Sequence, residues 1–451
     1  MKQRELKQLD SELREYVESM VAGMGRVERR AALSSYVTGL LLDGDRKSIE
    51  PMAARLVDDA SEMEAMRQRL QQAVVVADWP EEEMLRRLGL KLDLELPGVE
   101  ALVVDDTGFP KKGRHSVGVA RQYSGTLGRV DNCQVAVSLH LAGEMGSGCI
   151  AMRLYLGKEW IDDRPRMTRV GVPTGIDFET KWEISLKQID AAVAGGVRKH
   201  VVLADAGYGD VSEFRAGLRE RGLFYAVGIN GTPVVWPPAS NPQIPPRKVL
   251  KGPPPTRYRD ELNPPTSIGE LALTLRYRKV SWREGSKGWQ SSRFAAVRIR
   301  TAHHHLQGQP PGEEEWLLCE WPEGEDAPTK HWLSTLPAAI SIRALVRTAK
   351  LRWRVERDYQ DLKGELGLDH YEGRTWRGFH HHVTLCSVAH GFLALQRALF
   401  PPEGEEMDPA AGAPTPSANS RALARRLSAL PPGARPGRST SRTFENVIRS
   451  Y

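Results

Sequence analysis

The sequence of 451 residues is 40% hydrophobic and 27% charged, and its 63 Lys and Arg slightly outnumber its 57 Asp and Glu. This length exceeds what one hydrophobic core usually serves, which predicts two or three domains. No apolar run approaches the roughly 20 residues that cross a bilayer, and the charged N-terminus has no apolar signal-peptide core. These observations argue against membrane and secreted proteins. They predict a cytoplasmic protein whose basic excess permits a polyanionic partner.

The four cysteines, Cys133, Cys149, Cys319 and Cys386, are scattered without a CxxC pair. They therefore predict reduced, mostly buried thiols rather than a disulfide framework or a zinc knuckle.

Residues 1–96 have the pattern of an all-helical domain. Apolar residues recur at spacings of three and four in the first segment, which is the pattern of an amphipathic helix: Leu6, Leu9, Leu13, Tyr16, Met20 and Met24. Pro80 and the three glutamates after it suit the first turn of a later helix. Arg46 and Lys47, in a polar connection, are candidates for phosphate contacts. We predict a DNA-binding or dimerisation domain here, and a bundle used only for packing or dimerisation explains the pattern at least as well as one that contacts phosphate.

The period changes at Pro97, where strands begin to alternate with helices. We predict strands at 101–104, 134–141, 149–156, 200–203 and 223–229, and helices at 178–194 and 211–221. Three strands followed by helix, strand, helix and strand are typical of a mixed α/β sheet with helices on both faces. The fold class is therefore α/β, and residues 97–229 form the first part of its core.

Residues 230–330 lose this alternation and are predicted to form a β-rich insertion. They begin with a Pro-rich linker and contain strand-like pieces at 271–280 and 294–299. Trp289 and Trp282 lie in this segment, and packing in a core is the better explanation for each.

Residues 331–400 return to helices, including one at 376–400. The tail at 401–451 is rich in Pro, Gly, Ala and Ser, which predicts no fixed structure. It holds seven arginines after residue 420 and a single acid there, Glu445. These arginines could add non-specific affinity for DNA, and a disordered tail without a partner is the alternative.

The stretch Leu351–Arg374 reads mostly as one helix. Arg352, Glu356, Tyr359 and Lys363 return to one face at 3.6 residues per turn. An apolar stripe runs beside that face, so the helix can pack on a core: Leu351, Val355, Leu362 and Leu366. A solvated helix with ion pairs four residues apart is the alternative interpretation.

Three carboxylates are candidate metal ligands. Asp105 and Asp205 each follow a predicted strand, and open α/β sheets hold their sites at the carboxyl ends of strands. Glu356 arrives much later, on the helix. A divalent cation would offset the mutual repulsion of three carboxylates, and oxygen-only ligands suit Mg²⁺ or Mn²⁺. Two such ions about 4 Å apart can promote in-line attack on a phosphodiester.

Three motifs in order resemble the DDE transposases of bacterial insertion sequences. They are VVDDTGFPKKG, ADAGYGD and R-x₃-E-x₆-K, the last formed by Arg352, Glu356 and Lys363. They are similar to the branch whose glutamate helix carries a Tyr-Arg-Glu-Lys signature. The resemblance extends from about Tyr36 to Phe392.

The resemblance implies an RNase H-like core in which Asp105, Asp205 and Glu356 bind two Mg²⁺ or Mn²⁺ ions. Asp106 is the alternative to Asp105. The implied partners are double-stranded DNA, as terminal inverted repeats and target, and a second copy of the chain in the synaptic complex. Nucleoid association in a bacterial cytoplasm follows from this. The implied or candidate DNA contacts are Arg352, Lys363, Tyr359, Lys111, Lys112, Arg46, Lys47 and Trp289. The resemblance also makes Trp289 and Trp282 candidates for stacking on a base displaced during strand cleavage.

One position departs from the family signature, because its tyrosine falls on Ala349. A catalytically decayed DNA-binding protein therefore remains an alternative, and so does a nuclease of the same fold that only hydrolyses. The runs His303–His305 and His380–His382 are interpreted as polar surface or phosphate contacts, since consecutive side chains point in different directions.

Overall fold

The computed structural model describes residues 3–126, 128–247, 254–285 and 288–399. The predicted basic tail at 401–451 lies outside these residues. The chain divides into two compact units. The first comprises Met1–Glu100, Asp105–Arg198 and Arg354–Tyr451, and the second comprises Ala101–Val104 and Lys199–Trp353. The domain boundaries proposed from the sequence remain predictions.

The N-terminal region is helical, as its periodicity predicts. Its helices are α1 (Gln3–Val21), α2 (Val27–Leu41), α3 (Ile49–Leu56), α4 (Met63–Gln71) and α5 (Glu81–Glu95). Tyr16 and Met20 of the predicted apolar stripe are buried. Pro80 precedes the first turn of α5, where three glutamates interact favourably with the positive end of the helix dipole.

A long C-terminal helix, α14 (Trp376–Leu399), forms the centre of the first unit. Nearly all of its side chains are buried, because α1, α2, α5 and a strand of the same unit all pack against it. The Tyr16 hydroxyl donates a hydrogen bond of 2.8 Å to the Val388 carbonyl. The N-terminal helices are therefore packed around a helix that is more than 300 residues away in the sequence.

The next strands along the chain are β1 (Val99–Pro110), β2 (Ala120–Ser124), β3 (Arg129–Gly143) and β4 (Gly146–Leu154). All of them belong to the first unit except residues 101–104 of β1. Strand β3 is antiparallel to both β2 and β4. Three helices follow: α6 (Lys158–Ile161), α7 (Arg164–Arg169) and α8 (Lys181–Ala194). Thr180 and Glu183 form a capping box at the start of α8, which satisfies N–H groups that lack intrahelical acceptors.

The second unit is organised on a mixed sheet. Its first strands are β5 (Val201–Ala204) and β6 (Tyr225–Ile229), with α9 (Ala206–Gly209) and α10 (Ser212–Glu220) between them. Residues 101–103 of β1 pair in parallel with β5, and β5 pairs in parallel with β6. The predicted alternation of strand and helix is confirmed here.

The predicted β-rich segment extends this sheet. Its strands are β7 (Val234–Trp236), β8 (Thr266–Ser267), β9 (Arg278–Arg283), β10 (Trp289–Thr301), β11 (Glu314–Trp321) and β12 (Lys330–Ser334). Strand β12 is antiparallel to β6 and β11, and β10 is antiparallel to β11. The strand predicted at 271–280 is wrong over its first half, which forms helix α11 (Ile268–Thr274). Ser267 and Glu270 cap this helix, and their S-x-x-E spacing is a helix-start signal in the sequence.

The single helix predicted from Leu351 onward is also wrong in its bounds. Helix α12 (Ile342–Lys350) ends before it, a turn contains Leu351 and Arg352, and α13 (Trp353–Gln360) begins after that turn. Residues 361–365 continue α13 as one π-helical turn. The apolar stripe is nevertheless buried as predicted. The mixed α/β class with a helical N-terminal region is confirmed.

The four cysteines are free and buried, as predicted. None of the helices in the described part of the chain has both the length and the apolarity that crossing a membrane requires.

Candidate functional site

The two adjacent carboxylates of β1 have different surroundings. Consecutive residues of a strand point to opposite faces. Asp106 forms a close ion pair with Lys181 at the start of α8. Asp105 accepts a hydrogen bond of 2.8 Å from the Asp106 N–H through its Oδ1. Both side chains are half-buried, so each carboxylate can still reach solvent or a ligand.

Tyr359 lies close to the Asp105 end of β1. Its hydroxyl is 2.6 Å from Ser138 Oγ, and Ser138 Oγ lies 3.4 Å from the Asp105 carbonyl. Burial, followed by the negative charge of Asp105, raises the pKa of the Tyr359 hydroxyl well above its usual value. Tyr359 thus connects α13 to β3, whose Ser138 lies beside the backbone of β1, and its predicted contact with DNA stays a prediction.

A buried polar cluster continues from Ser138 and was not predicted. His140 places Nε2 3.0 Å from Ser138 Oγ and Nδ1 2.7 Å from Asp358 Oδ2. Ser147 Oγ donates to Asp358 Oδ1 over 2.5 Å. Burial alone lowers the pKa of His140, but Cys149 and Asp358 raise it to about 10. His140 Nδ1 is thus placed to donate to the Asp358 carboxylate in a buried ion pair.

A second buried aspartate lies next to this pair. Asp361 Oδ2 accepts a hydrogen bond of 2.7 Å from Arg397 Nη1 of α14. His390 Nε2 lies 3.8 Å from an oxygen of Asp358 and 3.8 Å from an oxygen of Asp361. Asp358 follows Val355 by three positions, so it lies near the azimuth of the buried stripe. That spacing is the signal in the sequence from which its burial could have been inferred.

Glu356 lies on the exposed side of α13, in its first turn. A carboxylate there is favoured by the positive end of the helix dipole. Val355 beside it is fully buried, so the packing of α13 fixes the backbone from which Glu356 projects. Arg352 lies in the turn that precedes α13. The prediction that Arg352 and Glu356 lie on one face of a continuous helix is therefore wrong.

Lys363 points back to the strand that carries Asp105. Its Nζ donates 2.9 Å to the Gly108 carbonyl and 3.2 Å to Thr126 Oγ1, and it lies 5.2 Å from the centre of the Phe109 ring. Burial lowers the pKa of its ammonium group. Within the first unit, β1 and α13 thus bring Asp105, Tyr359 and Lys363 together.

Asp205 belongs to the second unit, where it ends β5 and caps α9. Its Oδ1 accepts the Tyr208 N–H at 3.4 Å. A Cβ atom on Gly209 would lie 1.7 Å from the Gly228 carbonyl oxygen, so the turn ADAGYGD can pack against β6 only with glycine there. Close packing of this turn fixes the backbone that carries Asp205.

The remaining candidate cations differ in accessibility. Lys112 and Arg46 are exposed, and Arg46 forms an ion pair with Glu372. Lys111 donates 2.8 Å to the Tyr371 carbonyl. Lys47 is buried against the Leu42 carbonyl, and its burial lowers its pKa to about 8. Lys47 is therefore a structural residue rather than a surface contact, because the turn that holds it folds inward.

Trp289 is 60% exposed and Trp282 is 7% exposed. Core packing is therefore correct for Trp282 and wrong for Trp289. His303 and His304 are exposed as predicted. The surface interpretation of His380–His382 is wrong, because all three are buried in α14, which is enclosed on every side.

No three His, Cys, Asp or Glu side chains of the described residues form a group that could hold a metal ion. The donor chemistry of Asp105, Asp205 and Glu356 nevertheless fits a hard divalent cation, because all three supply carboxylate oxygens. Two of them belong to the first unit and Asp205 to the second.

Comparison with known proteins gave two findings. A family model described as DDE superfamily endonuclease matches residues 19–289, a stretch that contains Asp105 and Asp205 and ends before Glu356. A probable transposase for insertion sequence element IS701 from Microchaete diplosiphon is 34% identical over 194 residues. The match covers 42% of this chain and 46% of that relative, so the chain spans about half the length of the curated relative it matches.

Proposed function

This chain belongs to the DDE superfamily endonucleases, since the family model covers more than half of it, and from this premise we propose that it is a DNA transposase. Membership implies dependence on a divalent metal in general. The proposal adds the reaction, the metal and the residues. Asp105, Asp205 and Glu356 hold two Mg²⁺ or Mn²⁺ ions, and the substrate is double-stranded DNA at the ends of an insertion sequence.

One observation carries the assignment of the first two ligands. Strands β1 and β5 are parallel, and Val103 pairs with Leu203. Asp105 and Asp205 each follow two residues later. Carboxyl ends of parallel strands are where open α/β sheets hold their sites. The ion pair of Asp106 with Lys181 supports Asp105 rather than Asp106 as the ligand.

The proposed reaction has two steps. A water oxygen attacks the phosphorus at the element boundary, the P–O3′ bond breaks, and a 3′-hydroxyl is released. That hydroxyl then attacks a target phosphodiester and displaces another 3′-oxygen. The metal, when bound, lowers the pKa of the attacking group and stabilises the leaving oxygen.

The protein groups around the metal ligands have separate tasks in this proposal. The carboxylates hold the cations in place. Lys363 lies beside β1, where its ammonium group can bind a phosphate oxygen of the DNA end. Tyr359, bonded to Ser138, keeps α13 against β3 and so keeps Glu356 in position. Arg352, Lys111, Lys112, Arg46 and the exposed Trp289 are proposed as further contacts to DNA.

The assembly follows from the reaction. Joining two element ends requires one active site for each end, so we expect a homodimer in the synaptic complex. The N-terminal helices would recognise the terminal inverted repeats, and DNA as substrate would bring the protein to the nucleoid.

The test is a cleavage assay on a labelled duplex that carries the element end, with Mg²⁺, Mn²⁺ or EDTA. Glu356→Ala and Asp105→Ala are expected to reduce nicking at the boundary by at least about 100-fold, since even the partners of metal ligands account for 10- to 100-fold. Glu159→Ala removes an exposed carboxylate and is the matched control, expected to keep full activity.

The products separate the proposal from its alternatives. Nicked DNA followed by joined products supports transposition. Nicking without joining identifies a nuclease that only hydrolyses. Binding of the duplex without metal-dependent nicking by the unaltered protein would leave a DNA-binding protein that has lost its chemistry.

A further inference from the structure

The second unit contains a cavity of about 510 Å³ between β9, β10, β11 and the start of α12. This volume is within the range of roughly 300–1,000 Å³ that ligand pockets occupy. None of the residues proposed for catalysis lines it. Its lining includes three arginines, Arg276, Arg278 and Arg343, and no acidic residue.

The three guanidinium groups have no acidic partner among the described residues. Within the described part of the chain, none of them forms a hydrogen bond or an ion pair through its side chain. By contrast, Arg298 on the neighbouring β10 lies 3.3 Å from Glu314. Like charges that converge on one cavity repel one another, so an anion that entered it would remove an unfavourable interaction.

The start of α12 adds to the positive potential. The first turn of a helix carries N–H groups without intrahelical acceptors, and it favours negative charge. Ser341 Oγ accepts the Ala344 N–H at 3.2 Å, but the first turn contains no acidic residue. It contains Arg343 instead. An arginine is electrostatically unfavourable at this end of a helix, unless an anion binds there.

The other end of α12 is held firmly, which fixes the position of Arg343. Lys350 Nζ lies 2.6 Å from Glu320 Oε2 and 4.5 Å from the centre of the Trp282 ring. Leu345 and Val346 are buried. The helix is therefore anchored to the sheet of its own unit, and the cavity is a preformed feature rather than a chance arrangement of surface arginines.

The remaining walls are suited to a nucleotide. Phe294 and two alanines form an apolar floor, and Trp316 contributes an aromatic ring. The side chains of Arg276, Arg278 and Arg343 are exposed, so their guanidinium groups line an open rim. A small ligand is usually enclosed over most of its surface, whereas a phosphate within a polymer must enter through an open rim.

We propose that this arginine cavity binds the phosphodiester backbone of DNA, at a contact separate from the catalytic carboxylates. The inference rests on the proposed function insofar as DNA is the substrate. Guanidinium groups bind phosphate through paired, directional hydrogen bonds. The contact is independent of base sequence, because the charged groups of the cavity recognise the backbone.

The experiment measures equilibrium binding of the full chain to a random-sequence duplex by fluorescence anisotropy in EDTA, over a range of salt concentrations. Each lost phosphate contact lowers the slope of log K against log salt by about 0.9. Arg276→Gln/Arg278→Gln is expected to reduce that slope by about 1 to 2. Arg276→Lys/Arg278→Lys keeps the charges and is expected to keep most of the slope.

The matched control is Arg257→Gln/Arg259→Gln, which removes two exposed arginines of the same unit outside the cavity. It changes the net charge equally and is expected to leave the slope unchanged. Arg343→Gln, tested alone, extends the experiment to the helix end. Thermal melting of each variant, compared with the unaltered protein, verifies that the fold is kept.

A second arm distinguishes the source of the phosphate, with inorganic tripolyphosphate as the probe. A slope that falls only in the cavity variants, with no thermal stabilisation by tripolyphosphate, supports DNA. The opposite result is thermal stabilisation by tripolyphosphate that is lost in Arg276→Gln/Arg278→Gln, while the salt slope of DNA binding is unchanged. That result overturns the proposal in favour of a small phosphate ligand. Equal slopes in all variants overturn it as well. Because no cleavage is measured, these outcomes are independent of whether the protein nicks DNA.

Discussion

At the scale of single residues, the buried ion pair of His140 and Asp358 separates a structural role from a catalytic one. Asp358 lies two positions after the proposed ligand Glu356 and is almost completely buried. It accepts hydrogen bonds from both His140 and Ser147. Its carboxylate therefore stabilises the interior of the first unit.

We expect Asp358→Asn to destabilise the protein by about 3 kcal/mol at pH 7. Removing one partner of a buried ion pair costs roughly 3–5 kcal/mol, and His140 can limit the loss by releasing its proton. Urea unfolding measures the change, with the exposed Asp162→Asn as control. In a double-mutant cycle with His140→Gln, additive effects of the two substitutions would contradict a direct interaction.

At the scale of elements, α14 shows how tightly the centre of the first unit is packed. A Cβ atom on Gly391 would lie 2.5 Å from Leu88 Cδ1 and 2.9 Å from the Tyr16 hydroxyl. Glycine in the middle of this helix is therefore required by close approach to α5 and α1.

Gly391→Ala is expected to destabilise the protein by about 1 kcal/mol or more, because overpacking costs roughly 1–3 kcal/mol and outweighs the gain of up to about 1 kcal/mol from helix propensity. Gly364→Ala, in the π-helical turn after α13, meets no atom within 4 Å. That variant should be neutral or slightly stabilising. Denaturant unfolding measures the change in the free energy of unfolding for both variants. A change of the same sign in both would contradict the packing explanation.

The elements that were predicted correctly depend on local patterns. Apolar residues three and four apart specify α1, and the three glutamates after Pro80 specify the start of α5. The polar cluster as a whole could not be predicted, because only folding places His140 and Ser147 against Asp358. The run His380–His382 was misassigned for the same reason. A helix buried on all sides has no polar face, so its sequence lacks the periodicity that reveals burial.

The candidate site was predictable only in part. Asp105, Asp205 and Glu356 are recognisable from their positions after strands and on a helix, and they remain a proposal. The break at Leu351 and Arg352 was not predicted, because the spacing of Arg352, Glu356, Tyr359 and Lys363 fits an uninterrupted helix. The turn separates Arg352 from that face.

At the scale of the whole molecule, buried neutral histidines link folding to pH. Burial lowers the pKa of His380 and of His382 to about 4. His380 is bonded as a neutral imidazole is: its Nε2 accepts a hydrogen bond of 3.3 Å from the Leu154 N–H, and its Nδ1 donates one of 2.9 Å to the Trp376 carbonyl. One ring nitrogen accepts and the other donates, which an imidazolium cannot do.

The free energy of unfolding is therefore expected to fall as the pH drops from about 6.5 to 4. Over this range the unfolded histidines bind protons and the folded ones do not, so acid favours unfolding. Each histidine accounts for on the order of 3 kcal/mol at most. Urea titrations at several pH values measure the slope, which should be shallower in His382→Gln and unchanged in His115→Gln, where the replaced ring is exposed.

The packing of α1, α2 and α5 on α14 also determines when the first unit can finish folding. The hydrogen bond between Tyr16 and Val388 is one contact of this packing. A ribosome releases the N-terminal helices long before it has synthesised α14, so α1, α2 and α5 emerge without the helix on which they pack. Contacts between residues this distant in sequence form late and slowly, and the uncovered apolar faces are prone to aggregate until then. The first unit can therefore complete its core only after residue 399 has left the ribosome, and a nascent chain arrested before Trp376 would depend on chaperones.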